Sequence, residues 1–269
     1  MQNLGKPIAV GRTSEVFFWE GKVLKLGYPS SPSDWIEDEF SIGKHVQDMG
    51  LPVPKVYERV RINDREGIIF ERIEGASLLA ELTHKPWKVN QYAKLLAELH
   101  VKIHAIPAPV HLGSQREWVK EEIIDAKEFL TSELQHEILA LLDSLPDGNT
   151  LCHGDFHPGN IVMTKQGPVI IDWMTVSRGS AVGDVAITSL ALKVGKAPVS
   201  AIAQQILNII GNIFHSTYLK TYFQIHPEQQ QLIRAWRIVM AASHLDVSEP
   251  EDRANLLNII YAGLQGCGN

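Results

Sequence analysis

The 269-residue sequence predicts an α+β fold in which a small N-terminal lobe, an antiparallel five-stranded sheet plus one helix, precedes a larger, mostly helical C-terminal lobe. Three observations predict it. Short runs rich in β-branched and aromatic residues, punctuated by glycine, occupy residues 7–26 and recur at 55–61 and 67–71. From Ser77 onward the apolar residues recur at helical spacing. That second pattern is interrupted once, where Ile161-Val-Met163 and Val169-Ile-Ile171 flank Thr164-Lys-Gln-Gly-Pro168, the signature of a β-hairpin.

The first strands are expected at Pro7–Val10, Val16–Trp19 and Lys22–Leu26. The polar loop from Gly11 to Glu15 offers backbone N–H groups and the Thr13 and Ser14 hydroxyls, which suits a phosphate, although an ordinary hairpin loop has the same composition. On the third strand Lys25 points to the opposite face from Leu24 and Leu26. Pro32 introduces a helix with Asp34 as N-cap and Glu37 completing a capping box. Its stripe at helical spacing, Trp35, Glu39, Ile42, Val46 and Met49, is apolar except for Glu39, so a Lys25–Glu39 ion pair is expected. The competing arrangement rotates the helix toward Ile36 and Phe40 and leaves Glu39 in water. Strands at Lys55–Arg61 and Gly67–Glu71, turning at Asn63-Asp64, complete the sheet. The simplest division sets residues 1–75 apart from 76–269.

Tyr92, Leu95, Leu96, Leu99 and Ile103 form one helical stripe. The tract from Glu117 to Asp143 is rich in carboxylates and reads as a solvated face, or as a rim attracting a cation. After the hairpin, helices are expected at 183–194, 199–214, 217–223, 229–243 and 252–264.

A net charge of −6 provides no footprint for a polyanion, so no nucleic-acid partner is expected. The N-terminus lacks the apolar core of a signal peptide and no run reaches the roughly 20 apolar residues that span a bilayer, so a cytoplasmic protein with no membrane partner is expected. Cys152 and Cys267 allow at most one disulfide, and a reduced, structural Cys152 is the expectation.

The chemistry concentrates in His153-Gly-Asp-Phe-His-Pro-Gly-Asn160 and Ile171-Asp172. His153, Asp155 and His157 alternate, so in an extended segment they could share a metal, as in a zinc-dependent hydrolase. The other reading takes His153-x-Asp155, Asn160 five residues on, and Asp172 at a strand end as phosphoryl-transfer machinery. With Thr164 facing Pro168 across a three-residue loop, the register sets Asn160 opposite Asp172, pairing two oxygen ligands suited to Mg²⁺.

Together with Val23-Leu-Lys-Leu26, Glu39, Phe70-Glu-Arg-Ile-Glu-Gly75, Ile171-Asp-Trp173 and Gly183-Asp-Val-Ala186, these motifs resemble those of the aminoglycoside phosphotransferase and choline kinase superfamily, which has a protein-kinase-like two-lobed fold. The resemblance implies an ATP- and Mg²⁺-dependent O-phosphotransferase, with GTP an open alternative donor. It makes Asp155 the catalytic base, Asn160 and Asp172 the metal ligands, and Lys25, held by Glu39, the phosphate-contacting lysine. The Glu71 carbonyl and the Ile73 amide would take the adenine, and Ser14 would belong to the phosphate loop. Asp184 and His153 would brace the catalytic loop. Trp173 and the lack of a long activation segment disfavour a protein substrate, leaving a small hydroxylated acceptor and a monomer or weak dimer. A catalytically silent nucleotide-binding sensor would carry the same motifs.

Overall fold

The structure, a computed structural model, describes residues 4–11, 13–29, 33–193 and 201–265. Strands β1 (Ala9–Val10), β2 (Ser14–Trp19) and β3 (Lys22–Gly27) precede helix α1 (Ser33–Asp48), and β4 (Val56–Ile62) and β5 (Arg65–Phe70) follow. Next come β6 (Ala76–Ser77), α2 (Leu78–His84), α3 (Val89–His104), α4 (Gln115–Asp125) and α5 (Ser132–Ser144). Strand β7 (Thr150–Cys152), the hairpin β8 (Ile161–Thr164) and β9 (Gly167–Ile170), and β10 (Ser177–Gly179) lead into α6 (Ala181–Ala191), α7 (Ala201–Ile225), α8 (Ile233–Ser243) and α9 (Pro250–Gln265).

The chain forms two compact units, residues 1–81 with 158–175 and residues 82–157 with 176–269. The hairpin thus groups with the sheet rather than with the helices, because β6 pairs with β8. In the first unit the antiparallel sheet runs β1-β2-β3-β5-β4. One face buries Phe17, Leu24, Leu26, Ile62 and Ile69. The other is covered by α1, where Ile36 meets Val56 and Ile68 with Phe40 and Phe70 packed alongside. Helix α1 sits close because residue 43 is glycine: a Cβ there would lie 2.7 Å from Val56 Cγ2.

The expected stripe on α1 shifts. Met49 is 49% exposed and Ile36 takes the buried place, yet Glu39 stays buried at 5% exposure, so the helix is rotated toward Ile36 without releasing its carboxylate. The side chains of Trp35 and Asp34, the expected N-cap, lie outside the described residues.

In the second unit α8 is the central element: Trp236, Val239, Met240 and Ala242 are buried against Val119 and Ile123 of α4, Ile138 and Leu142 of α5, Ala186 of α6 and Ile260 of α9. From Ala201 on, the two expected helices, 199–214 and 217–223, are one continuous α7, with residues 199 and 200 outside the described ones. Thr217 is accommodated mid-helix because its hydroxyl donates to Asn90 Oδ1 at 2.8 Å, a tertiary bond that local propensity does not encode. The short strands β6, β7 and β10, with two or three residues each, lie below the length at which alternation can be read.

Candidate active site

In the first unit the strand alternation that buries Leu24 and Leu26 turns Lys25 toward α1. Its ammonium donates to Glu39 Oε1 at 2.7 Å, the pair expected from the sequence, and also to Asp172 Oδ1 at 3.1 Å. Burial works against the Lys25 charge, but Glu39 and Asp172 outweigh it and hold its pKa above the ordinary lysine value. Burial pushes the Glu39 carboxyl up against the pull of Lys25. At a 2.7 Å contact the charged pair is the state that prevails at neutral pH. The second Glu39 oxygen, Oε2, is buried with no hydrogen-bond partner among the described residues.

The hairpin differs from the expected register by one residue. Thr164 pairs with Gly167 across the two-residue loop Lys165-Gln166, and Ile161 with Ile170. The Asn160 carbonyl therefore accepts from the Ile171 amide at 3.0 Å, and Asp172 falls one residue beyond the position opposite Asn160. The Thr164 hydroxyl sets the tighter turn, accepting from the Gln166 amide at 3.0 Å and donating to the Gly167 carbonyl at 2.9 Å. A left-handed backbone at Asp172, φ 65°, ends the strand alternation where its carboxylate meets Lys25.

Ser14 opens β2 opposite Gly27 and is buried, so the polar loop is only Gly11–Thr13, closed by the Gly11 amide donating to the Ser14 carbonyl at 2.9 Å. The Thr13 hydroxyl lies 3.6 Å from the Met174 sulfur, two residues past Asp172. The loop and the strand end thus meet within one unit. Glu71 and Ile73 lie in the irregular segment after β5, where the Glu71 amide donates to the Lys55 carbonyl at 2.8 Å and its carboxylate accepts from the Lys55 amide at 3.1 Å. Gly75 ends that segment against β8, where a Cβ would lie 2.2 Å from the Met163 carbonyl oxygen.

In the second unit the segment His153–His157 hangs from Asp184, on α6. This buried carboxylate accepts from the His153 amide at 2.6 Å and the Gly154 amide at 2.8 Å. It also lies 3.0 Å from His100 Nε2 and 3.2 Å from His104 Nε2, whose Nδ1 atoms stand 2.7 Å from the Tyr218 and Tyr222 hydroxyls. One tautomer satisfies each ring: Nε2–H donates to Asp184 and Nδ1 accepts from tyrosine. Burial, with His104 alongside, brings the His100 pKa down to about 3 against the pull of Asp184, and the imidazole is neutral. Burial alone would raise the Asp184 carboxyl, but His100 and His104 hold it well below the usual carboxylate range. The sequence reading missed these four partners. Their signal was paired spacing, His100/His104 and Tyr218/Tyr222, each four residues apart on a helix.

Asp155 follows on the exposed side of this segment, its side chain 48% accessible and 3.5 Å from His157 Nε2. Its amide donates to His153 Nδ1 at 3.3 Å. His153 is fully buried, and His153, Asp155 and His157 do not gather their ligand atoms around one point among the described residues, so the alternative of a shared metal gains no support. The trio whose ligand atoms do gather among the described residues is His100, His104 and Asp184, which already satisfy one another by hydrogen bonds. Cys152, just before, is buried with a free thiol among the described residues, outside which Cys267 lies. Its thiol points at the Thr150 and Ser180 carbonyls at 3.6 Å, and burial, with Asp184 nearby, pushes its pKa well above the ordinary value.

A sheet-borne lysine paired with a helix glutamate in one unit, and a segment pinned to a buried aspartate in the other, accompany a protein-kinase-like two-lobed fold. Residues 5–211 match the phosphotransferase enzyme family, and the chain belongs to it. No curated protein matches the sequence significantly. Among solved structures, aminoglycoside phosphotransferase APH(4)-Ia aligns over 98% of this chain and 94% of its own, with 17% identity and a TM-score of 0.69. Amicoumacin kinase hAmiN, solved with AMP-PNP, Ca²⁺ and Ami, covers 98% and 88% at 15% identity and a TM-score of 0.67. Choline kinase from Cryptosporidium parvum Iowa II covers 97% and 87% at 16% identity and a TM-score of 0.57. No helix among the described residues is long and apolar enough to cross a membrane.

Proposed function

We propose that this chain is an ATP- and Mg²⁺-dependent cytoplasmic kinase, monomeric or weakly dimeric, that phosphorylates a hydroxyl of an aminoglycoside-like, amino-alcohol or sugar-type small molecule. The observation that carries the reading is Lys25 held between Glu39 and Asp172, a cation fixed in place beside a carboxylate that stays 44% exposed. The donor set suits a hard cation, since Asp172 and Asn160 both offer oxygen and lie at one end of the hairpin. Residues 1–75 would serve the nucleotide and residues 76–269 the acceptor.

Lys25 would contact the nucleotide phosphates, with Ser14 and its loop beside them, while the Glu71 carbonyl and the Ile73 amide take the base. Asn160 and Asp172 would hold Mg²⁺, which when bound offsets the charge on the phosphates. Asp155 would accept the acceptor's hydroxyl proton as its oxygen bonds the γ-phosphorus and the bond to ADP breaks. A panel of aminoglycosides, choline, homoserine and sugars, assayed with ATP and with GTP, tests the reading. Turnover of a true acceptor is expected to fall by about 10²–10⁴-fold in Asp155→Ala with Mg-ATP binding retained. Undiminished turnover in that variant, or failure of the protein to bind Mg-ATP, would refute it. Binding without transfer across the panel would leave a nucleotide sensor.

A further inference from the structure

Helices α7, α8 and α9 enclose a partly open cavity of about 360 Å³, within the size range of small-molecule sites. Its walls are apolar, with Leu219, Ile233, Ile238 and Ile259, but two arginines, Arg234 and Arg237, also line it. Arg234 stands at an exposed position and reaches the Ala262 carbonyl at 3.4 Å. Arg237 is different. Its Nε is buried without a partner, and among the described residues its guanidinium makes neither an ion pair nor a hydrogen bond. An unpaired cation in an apolar wall is costly and is retained only where something offsets it.

The surroundings add positive charge rather than relieving it. Burial and the nearby Arg237 lower the Lys193 pKa. Burial, Lys193 and Arg237 together bring His215, which bonds Ser189 at 2.8 Å, down to about 4. Helices α7 and α8 contain no acidic residue at all, and α9 has carboxylates only at Glu251 and Asp252, in its first turn. From Asp252 to Ile259 the helix climbs roughly 10 Å. The segment 194–200 supplies no side-chain carboxylate. In a chain of net charge −6 this is a local excess of cations, and among the described residues Lys193, Arg234 and Arg237 form no ion pair.

We propose that this cavity, which none of Lys25, Asp155, Asn160 and Asp172 lines, is a further binding site that takes a small anionic amphiphile. The carboxylate or phosphate monoester head would accept from Arg237, with Arg234 at the rim, and a short hydrocarbon tail would cover Leu219, Ile238 and Ile259. Charge complementarity fixes the head group and the apolar walls fix the tail.

Calorimetric titration of the full-length protein with sodium octanoate tests the site. Saturable one-to-one binding is expected, at least about tenfold weaker in Arg237→Gln, the loss that accompanies removal of one hydrogen bond to a charged group. Arg237→Gln is also expected to melt higher than the parent without ligand, because it removes an unpaired buried cation, and to keep its affinity for Mg-ATP. On the parent protein, octanol tests the head group and inorganic phosphate the tail. Each is expected to bind at least about tenfold more weakly than octanoate. Octyl phosphate binding more tightly than octanoate would support the site and identify a phosphate monoester as its preferred head. Absence of saturable octanoate binding in the millimolar range would overturn the proposal. So would equal affinity in Arg237→Gln, or octanol or phosphate matching octanoate. The comparison of the three ligands decides the matter even where the variant does not fold.

Discussion

The Lys25 ammonium serves two carboxylates at once, 2.7 Å from Glu39 and 3.1 Å from Asp172, and this sharing decides what each substitution costs. Lys25→Met strands Glu39 at 5% exposure. Breaking a buried pair from one side costs about 3–5 kcal/mol, or somewhat less if Glu39 escapes by taking up a proton. Glu39→Gln leaves Lys25 with Asp172 and is expected to cost only about 1 kcal/mol. Urea denaturation of the two variants gives the order, and a larger loss in Glu39→Gln would contradict it. At this scale the sequence was informative where two signals met. Lys25 on a strand face said little alone, Glu39 on a helix stripe had a competing place in water, and only their mutual need for a counter-charge joined them. His100 had no such sign. A histidine in the apolar stripe of α3 finds its meaning in Asp184, 84 residues away, and Tyr218, 118 residues away. Such a network forms only once the fold exists.

Among the elements, α1 and the hairpin show opposite limits of reading a chain locally. Glycine inside a helix ordinarily weakens it by about 0.5–1 kcal/mol relative to alanine, so Gly43→Ala should stabilise α1. The 2.7 Å approach to Val56 Cγ2 reverses that expectation. Overpacking costs about 1–3 kcal/mol, so Gly43→Ala is predicted to lower the melting temperature, and Val56→Ala in the same chain should recover part of the loss. A melting temperature that rises in the single variant would show that α1 moves aside freely. The hairpin was legible as a hairpin but not in its register. Its apolar runs allow two loops one residue apart, and the Thr164 hydroxyl, bonding the Gln166 amide and the Gly167 carbonyl, selects the shorter. The slip matters little for the site because Asp172 leaves the ladder through a left-handed backbone, φ 65°, rather than extending it.

For the whole molecule, the neutral imidazoles make stability depend on acidity. His100 has its pKa lowered to about 3, so between that value and the ordinary histidine range the unfolded chain binds a proton that the folded chain refuses. Stability therefore rises with pH through this window and falls on acidification below about pH 6.5. His215, lowered to about 4 mainly by burial, acts in the same direction. His100 alone accounts for a loss on the order of 2–3 kcal/mol between neutral pH and pH 4.5. His100→Gln is expected to be less stable at neutral pH, having lost its bonds to Asp184 and Tyr218, yet to lose less on acidification. Denaturation curves at the two pH values measure both, and an unchanged pH dependence would show that other groups carry the acid response. The α+β class was visible in the switch from strand to helical spacing. That the hairpin groups with the first unit was not, since β6, which pairs with β8 in a small sheet of its own, has two residues.

The buried thiol of Cys152, held in the β7–β10 ribbon directly before His153, turns this region into a clock. With Cys267→Ser removing the other sulfur, a disulfide reagent can react only during the moments when the ribbon parts. The modification rate, divided by that of the denatured chain, then counts those moments. Strong suppression at neutral pH is expected. If Asp184 anchors the segment, Asp184→Asn should make the clock run faster well before it changes the melting of the first unit, and unchanged labelling would show that the ribbon holds without it.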